Sequence, residues 1–177
     1  MASILQRSGV IESLYKAMEL WSRRLPGGLA VGTIAICTII AAMTGIVGAA
    51  VAAMGMLALP SMLKRNYQPE LAIGTICAGG TLGILIPPSV ITIVYAVTAQ
   101  ASIGQMFIAG VVPGLLLASL YIGYIVLRAT LNPSVAPRPP ETEEITWSIR
   151  IAALKSLVLP MLIIVGVLGT IYMGIAT

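Results

Sequence analysis

The sequence predicts an all-α integral membrane protein in which a re-entrant helical hairpin meets a broken transmembrane helix. Three observations carry that prediction. The 177-residue chain is 58% hydrophobic and only 9% charged, with a mean hydropathy of +1.02, a balance that no ordinary water-soluble domain tolerates. Two uncharged runs, Gly27 to Leu63 (37 residues) and Leu71 to Leu127 (57 residues), each exceed the roughly 20 residues of one helical crossing. The longer run contains Gly79-Gly80-Thr81-Leu82-Gly83-Ile84-Leu85-Ile86-Pro87-Pro88-Ser89. There two prolines withhold amide donors from the Gly83 and Ile84 carbonyls, and their rings clash with those carbonyls.

Several chemistries are excluded at once. The chain has no histidine, and none of its six carboxylates falls inside a long apolar run, so a histidine triad, a histidine metal cage and an intramembrane carboxylate relay are absent. No nucleophile and base pair stands at membrane depth, which argues against an enzyme. The net charge of +4 comes from basic residues at the edges of apolar runs. It reads as a topology signal and not as a nucleic-acid patch. Cys37 and Cys77 lie inside apolar runs and read as small buried hydrophobes.

Residues 1–28 carry Val10, Leu14, Met18 and Trp21 at helical spacing, with Glu12 and Lys16 as a favourable four-residue pair. The stretch is too charged to span and predicts an amphipathic helix at the membrane surface. Residues 29–63 are too many for one crossing and too few for two. Leu29 to Thr44 and Gly48 to Pro60, about 24 Å and about 20 Å as helix, fit a re-entrant hairpin whose tip is Thr44-Gly45-Ile46-Val47-Gly48.

Residues 70–100 predict one crossing made of two half-helices, Leu71 to Leu82 and Pro88 to Ala99, with Pro88 at the first helical position. Residues 106–128 return as a transmembrane helix. Residues 129–155, which hold four prolines and three glutamates, predict a cytoplasmic loop followed by an interfacial piece, and residues 156–177 cross outward. This topology puts all ten basic residues on the cytoplasmic side, as the positive-inside bias requires.

The break has opposite chemistry on its two sides. Carbonyls freed near Gly80 to Ile84 suit a hard cation such as sodium. Free amides after Pro88, at the positive end of a helix dipole, suit an anion. The glycines of the hairpin tip and of the break permit close backbone approach. The predicted ion site is therefore Thr44, Gly45, Gly48, Gly80, Thr81, Gly83 and Ile84, and the predicted substrate site is Thr81, Pro87, Pro88 and Ser89. Two plainer readings stand beside these. The break can be a proline-kinked packing helix, and the Thr44 hydroxyl can bond its own helix.

Ala78 to Ser89 resembles the most recognisable motif of the large permease subunit of tripartite ATP-independent periplasmic (TRAP) transporters. Arg24-Leu25-Pro26-Gly27-Gly28-Leu29-Ala30 is similar to the lead-in of that family's first re-entrant hairpin, and Ala58-Leu59-Pro60-Ser61-Met62-Leu63-Lys64-Arg65 to its exit. Ser102 to Gly114 and Leu131-Asn132-Pro133 follow in the family's order.

The resemblance implies one inverted repeat of an elevator-type transporter in the bacterial or archaeal cytoplasmic (inner) membrane. It implies sodium-coupled import of an organic acid, with a periplasmic substrate-binding protein and a small membrane subunit as partners and no cofactor beyond the coupling ion. No second glycine-and-proline break follows Ser156, and the family has helices before the matching segment, so a first-repeat fragment is expected. Where many members carry a serine-rich tip, this chain has Thr44-Gly45-Ile46, which leaves one hydroxyl. A channel-like protein and a non-transporting assembly module are the alternative functions.

Overall fold

The computed structural model describes residues 15, 18, 21, 22, 25–137 and 147–173. Among them stand six helices and no strand: α1 (Gly28–Thr44), α2 (Val47–Lys64), α3 (Pro69–Leu85), α4 (Val90–Thr98), α5 (Ile103–Leu131) and α6 (Trp147–Tyr172). The all-α prediction therefore holds. Val10 and Leu14 of the predicted amphipathic helix, and residues 138–146 of the predicted loop, lie outside the described residues. Tyr15, Met18, Trp21 and Ser22 are helical. Ser22 Oγ donates to the Met18 carbonyl at 2.6 Å, and this edge lies close against Gly32 of α1.

α1 and α2 form the hairpin. Only Gly45 and Ile46 separate them, and Gly45 takes a left-handed φ of 62° that L side chains adopt at a cost. Its amide donates to the Ala41 carbonyl at 2.9 Å, which closes α1. α1 is apolar on every side and nearly all of it is buried, from Ala30 and Ile34 through Cys37 to Ala41. A helix without a polar face must be enclosed by neighbours or lipid.

α3 is the element that the others share: α1, α2, α4 and α5 all pack on it. Small residues make this possible. A Cβ on Gly79 would lie 2.7 Å from Cys37 Sγ of α1, and one on Gly80 would overlap Val51 Cγ2 of α2. On the other side, a Cβ on Gly110 of α5 would lie 2.6 Å from the Leu85 carbonyl oxygen, and one on Gly114 2.8 Å from Ile86 Cγ1. α3 is thus clamped between hairpin and α5 by glycines on both faces, the means by which helices pack closely where lipid competes with side chains.

The open end of the hairpin, the start of α3 and the end of α5 gather at one pole. The Leu29 amide reaches the buried Tyr67 hydroxyl at 3.4 Å, and the Gln68 amide donates to the Val135 carbonyl at 2.9 Å. Gly27 sits against Ile125 and Ala129. Burial raises the Tyr67 hydroxyl above its ordinary pKa, opposed by the Leu29 amide and by the Arg65 charge. Lys64, Arg65 and Arg128 therefore share a pole, as the charge pattern requires.

Three boundaries differ from the sequence expectation. α3 runs to Leu85 instead of Leu82, because its glycines keep the amide ladder intact and the first missing donor is Pro87. α4 begins at Val90, with Ser89 as its N-cap, so Pro88 precedes the cap and is not the first helical residue. α6 is continuous from Trp147, where a separate interfacial piece before Ser156 was expected; no glycine or proline interrupts it before Pro160. Single prolines at 60, 113 and 160 stay within helices, whereas the adjacent pair ends one.

α2, the α3–α4 segment Pro69–Thr98 and α5 are long and apolar enough to cross a membrane. The outer faces agree, since Val94, Val112, Leu116, Leu120 and Leu127 are all exposed apolar side chains. Gly79→Val should lower thermal stability in detergent by about 1–3 kcal/mol through overpacking against Cys37. Gly55→Val, at a site with nothing within 4 Å, should leave the melting temperature nearly unchanged.

Candidate functional site

The site is built where two interruptions of helix meet. The first is the hairpin tip, Gly45-Ile46. The second is Ile86-Pro87-Pro88-Ser89, between α3 and α4, with a cis peptide between the prolines. Gly45 lies so close to the Pro88 carbonyl that a Cβ there would overlap the oxygen, and would also stand 3.2 Å from Ser89 Cα. A Cβ on Gly83 would stand 3.6 Å from the Val47 amide nitrogen. Two helix C-termini, of α1 and α3, and two N-termini, of α2 and α4, therefore converge on one region.

The hydrogen bonds show which groups are engaged. The Ile86 amide closes α3 on the Leu82 carbonyl at 2.8 Å. Beyond it, Pro87 and Pro88 offer no amide to the Gly83 and Ile84 carbonyls. The Thr92 hydroxyl reaches across the break to the Ile84 carbonyl at 3.5 Å. Ser89 is 1% exposed; its hydroxyl accepts from the Thr92 amide at 3.4 Å, and its carbonyl accepts from the Ile93 amide at 3.1 Å. The amides of Val90 and Ile91, in the first turn of α4, have no carbonyl of their own helix to pair with. Their positive end points into the break.

Of the predicted residues, Gly45, Gly83, Pro88 and Ser89 come together at the tip-to-break contact, and Gly80 packs one turn away against Val47 and Val51. Gly48 has nothing within 4 Å of its Cβ position, so it lines open space beside the tip. The Thr44 hydroxyl donates to the Ile40 carbonyl at 2.9 Å, which is the local bond that the plainer reading anticipates. Thr81 is turned away from the hairpin. Its hydroxyl donates to the Ala78 carbonyl at 2.7 Å and lies 3.3 Å from the Tyr121 hydroxyl of α5. On a helix, residues one apart differ by about 100°, so Gly80 toward α2 places Thr81 toward α5.

Sequence reasoning did not single out Thr92 or Tyr121. Thr92 stands three residues after the cap, a position readable once Ser89 is identified as the cap. Tyr121 is distant in sequence, and nothing local marks it. Among the described residues, no group of three or more His, Cys, Asp or Glu is placed to hold a metal ion. The oxygens available to a cation are backbone carbonyls and hydroxyls.

Comparison with known proteins adds a second line of support. A family described as "Tripartite ATP-independent periplasmic transporter, DctM component" matches residues 1–177. The chain is 36% identical over 179 residues to the C4-dicarboxylate TRAP transporter large permease protein DctM of Vibrio cholerae, covering 99% of this chain and 38% of that protein. It is 37% identical over 177 residues to the protein of the same name from Pseudomonas aeruginosa, covering 99% and 40%. It is 33% identical over 174 residues to the ectoine/5-hydroxyectoine TRAP transporter large permease protein UehC of Ruegeria pomeroyi, covering 98% and 40%. The chain thus spans about two fifths of the length of these curated relatives.

Gly45→Ala tests the tip-to-break contact. It places a Cβ on the Pro88 carbonyl and forces a left-handed φ on a residue with a side chain, which costs about 1–2 kcal/mol from the backbone alone. Its melting temperature should fall clearly below wild type, while Gly48→Ala, in open space, should melt as wild type does.

Proposed function

Because the chain belongs to the DctM component family of tripartite ATP-independent periplasmic transporters, we propose that it supplies one half of the ion and solute site of a sodium-coupled permease for an organic acid. Membership makes it an inner-membrane permease component and not an enzyme. The observation that carries the proposal is the contact of Gly45 with Pro88, which joins the two places where backbone polar groups leave their helices.

The division of labour follows from the chemistry at that contact. Sodium takes several oxygens in a flexible shell, and the Gly83 carbonyl, the C-terminal carbonyls of α1 and the Pro88 carbonyl are of that type. The carboxylate of the solute meets the Val90 and Ile91 amides at the start of α4, where the dipole favours negative charge, with Ser89 ordering the turn. Neutralisation of one by the other makes each bind better when both are present, which is the thermodynamic content of coupling. C4-dicarboxylate is the solute named for the Vibrio cholerae and Pseudomonas aeruginosa relatives, and it carries the group this helix end suits.

The geometry also supports a re-entrant hairpin. Gly27 lies level with Ile125 of α5, and the tip meets the break beside Gly110 and Gly114. From Ile125 to Gly110 is about 22 Å along the helix, and α5 continues for about 10 Å more to Ile103. The tip stops short of the far surface. With the tip held on the break, hairpin, α3 and α4 form one unit that carries the site, the arrangement an elevator movement requires. The remaining partners are a small membrane subunit and a periplasmic substrate-binding protein, and the second half of the site comes from residues beyond this chain.

Uptake of labelled C4-dicarboxylate by proteoliposomes, using the whole permease with its partner subunits, tests the proposal. An inward sodium gradient should drive accumulation. Ser89→Ala should raise the apparent KM about tenfold, the effect of losing roughly one hydrogen bond. Uptake that is unchanged when potassium replaces sodium would overturn the sodium assignment.

A further inference from the structure

The tip-to-break contact has one open side, and its side chains there are apolar. Ile46 follows Gly45 at the hairpin tip, Ile84 follows Gly83 near the end of α3, and Val90 follows Ser89 at the start of α4. Each adjoins a residue of the contact, where the Gly45 Cβ position lies 3.2 Å from Ser89 Cα and the Gly83 Cβ position 3.7 Å from the Ile46 carbonyl carbon. All three are exposed, at 48%, 38% and 51%. On α3, Gly79 faces α1, Gly80 faces α2 and Thr81 faces α5. Ile84 lies about 40° round the helix from Gly80 toward Thr81, so it stands over the gap between α2 and α5, away from α1. Gly48, with nothing within 4 Å of its Cβ position, leaves room beside the tip.

This opening does not suit hydrocarbon, because it exposes the backbone of the break. The Ile84 carbonyl has only a long partner in the Thr92 hydroxyl at 3.5 Å, and the Val90 and Ile91 amides lack a carbonyl of their own helix. At membrane depth such backbone is tolerated against protein or a wet cavity and not against lipid. The opening also lacks charge. Both Gly27 to Leu63 and Leu71 to Leu127 are uncharged, and Arg128 lies about 21 Å along α5 from Gly114. The hydroxyls nearby are engaged, Ser89 with the Thr92 amide, Thr92 with Ile84 and Thr44 with Ile40. A carboxylate therefore meets amides at one point, beside a wall of aliphatic side chains. A second carboxylate against that wall would be buried with no counter-charge from this chain, which is costly, whereas an aliphatic end gains by burial there.

We propose that the solute turns an aliphatic end to Ile46, Ile84 and Val90, so that the site takes monocarboxylates with an aliphatic body in preference to dicarboxylates. This rests on the reading of the α4 amides as a carboxylate site, and it makes Ile46 and Ile84 the residues that set specificity.

Thermal stabilisation of the whole permease in detergent, with sodium present and without the binding protein, tests this with two probes. 4-Methylpentanoate and butanedioate differ only in that the first has two methyl groups where the second carboxylate of the other has oxygens. The first should bind about tenfold more tightly. Ile46→Ser and Ile84→Ser should each erase that difference, and Ile46→Leu should keep it. Both serine variants replace exposed side chains, so their ligand-free melting temperatures should match wild type and separate loss of specificity from loss of fold. The proposal alone is overturned if butanedioate binds as tightly as 4-methylpentanoate, if both serine variants keep the wild-type preference, or if 4-methylpentanoate stabilises equally when potassium replaces sodium while butanedioate still requires sodium. If neither acid stabilises the permease in sodium, the carboxylate reading falls and the proposal falls with it.

Discussion

Two adjacent prolines at membrane depth leave backbone carbonyls that no amide of their own helix can reach, and no water in the hydrocarbon can serve them. Everything else in the fold answers that constraint. The hairpin brings its own interrupted backbone, Gly45-Ile46, to the same place, so that the two irregular segments are buried against each other instead of against lipid. Close contact at Pro88 requires a tip without a side chain and with a left-handed φ, which is glycine. Gly79, Gly80 and Gly83 then let α3 lie against both arms, and Gly110 and Gly114 hold the C-terminal end of α3 from the other side. Removing the helix break would leave this set of glycines without a purpose.

Much of the arrangement was legible in the sequence because membrane depth makes local chemistry decisive. The all-α class followed from composition, and the break from Pro87-Pro88. The expectation that tip and break would face each other came from glycines on both, and Gly45 against Pro88 is where the structure places them. What was not legible depends on helical phase and on distant contacts. A continuous ladder to Leu85 shifts α3 by three residues, and the orientation of Thr81 toward Tyr121 follows from where Gly80 must point. Tyr121 carries no local signature, since it acquires its meaning from Thr81, 40 residues away.

The same hydroxyl chemistry separates three roles. Thr44 bonds back to Ile40 and so spends its proton within α1; in the proposed reading its oxygen lone pairs and the tip carbonyls are what a cation would meet. Ser89 accepts an amide and fixes the first turn of α4, so its role is to aim the Val90 and Ile91 amides. Thr81 lies beside Tyr121 and ties α3 to α5 near the break. In the site proposed above the backbone would supply the ligands and the side chains would set their direction. Such a site would need no more than the one hydroxyl that Thr44-Gly45-Ile46 retains.

The account rests on a hairpin whose tip stops inside the membrane beside the break. Its most direct test is the immersion depth of a spin label at Ile46→Cys, in a background carrying Cys37→Ala and Cys77→Ala, measured by accessibility to oxygen and to a polar paramagnetic reagent. Labels at Asn66→Cys and Ser102→Cys mark the two surfaces. The account predicts that the Ile46 label lies deeper than both. A label at Ile46 as shallow as that at Ser102 would show that α1 and α2 each cross the whole bilayer, and would contradict it.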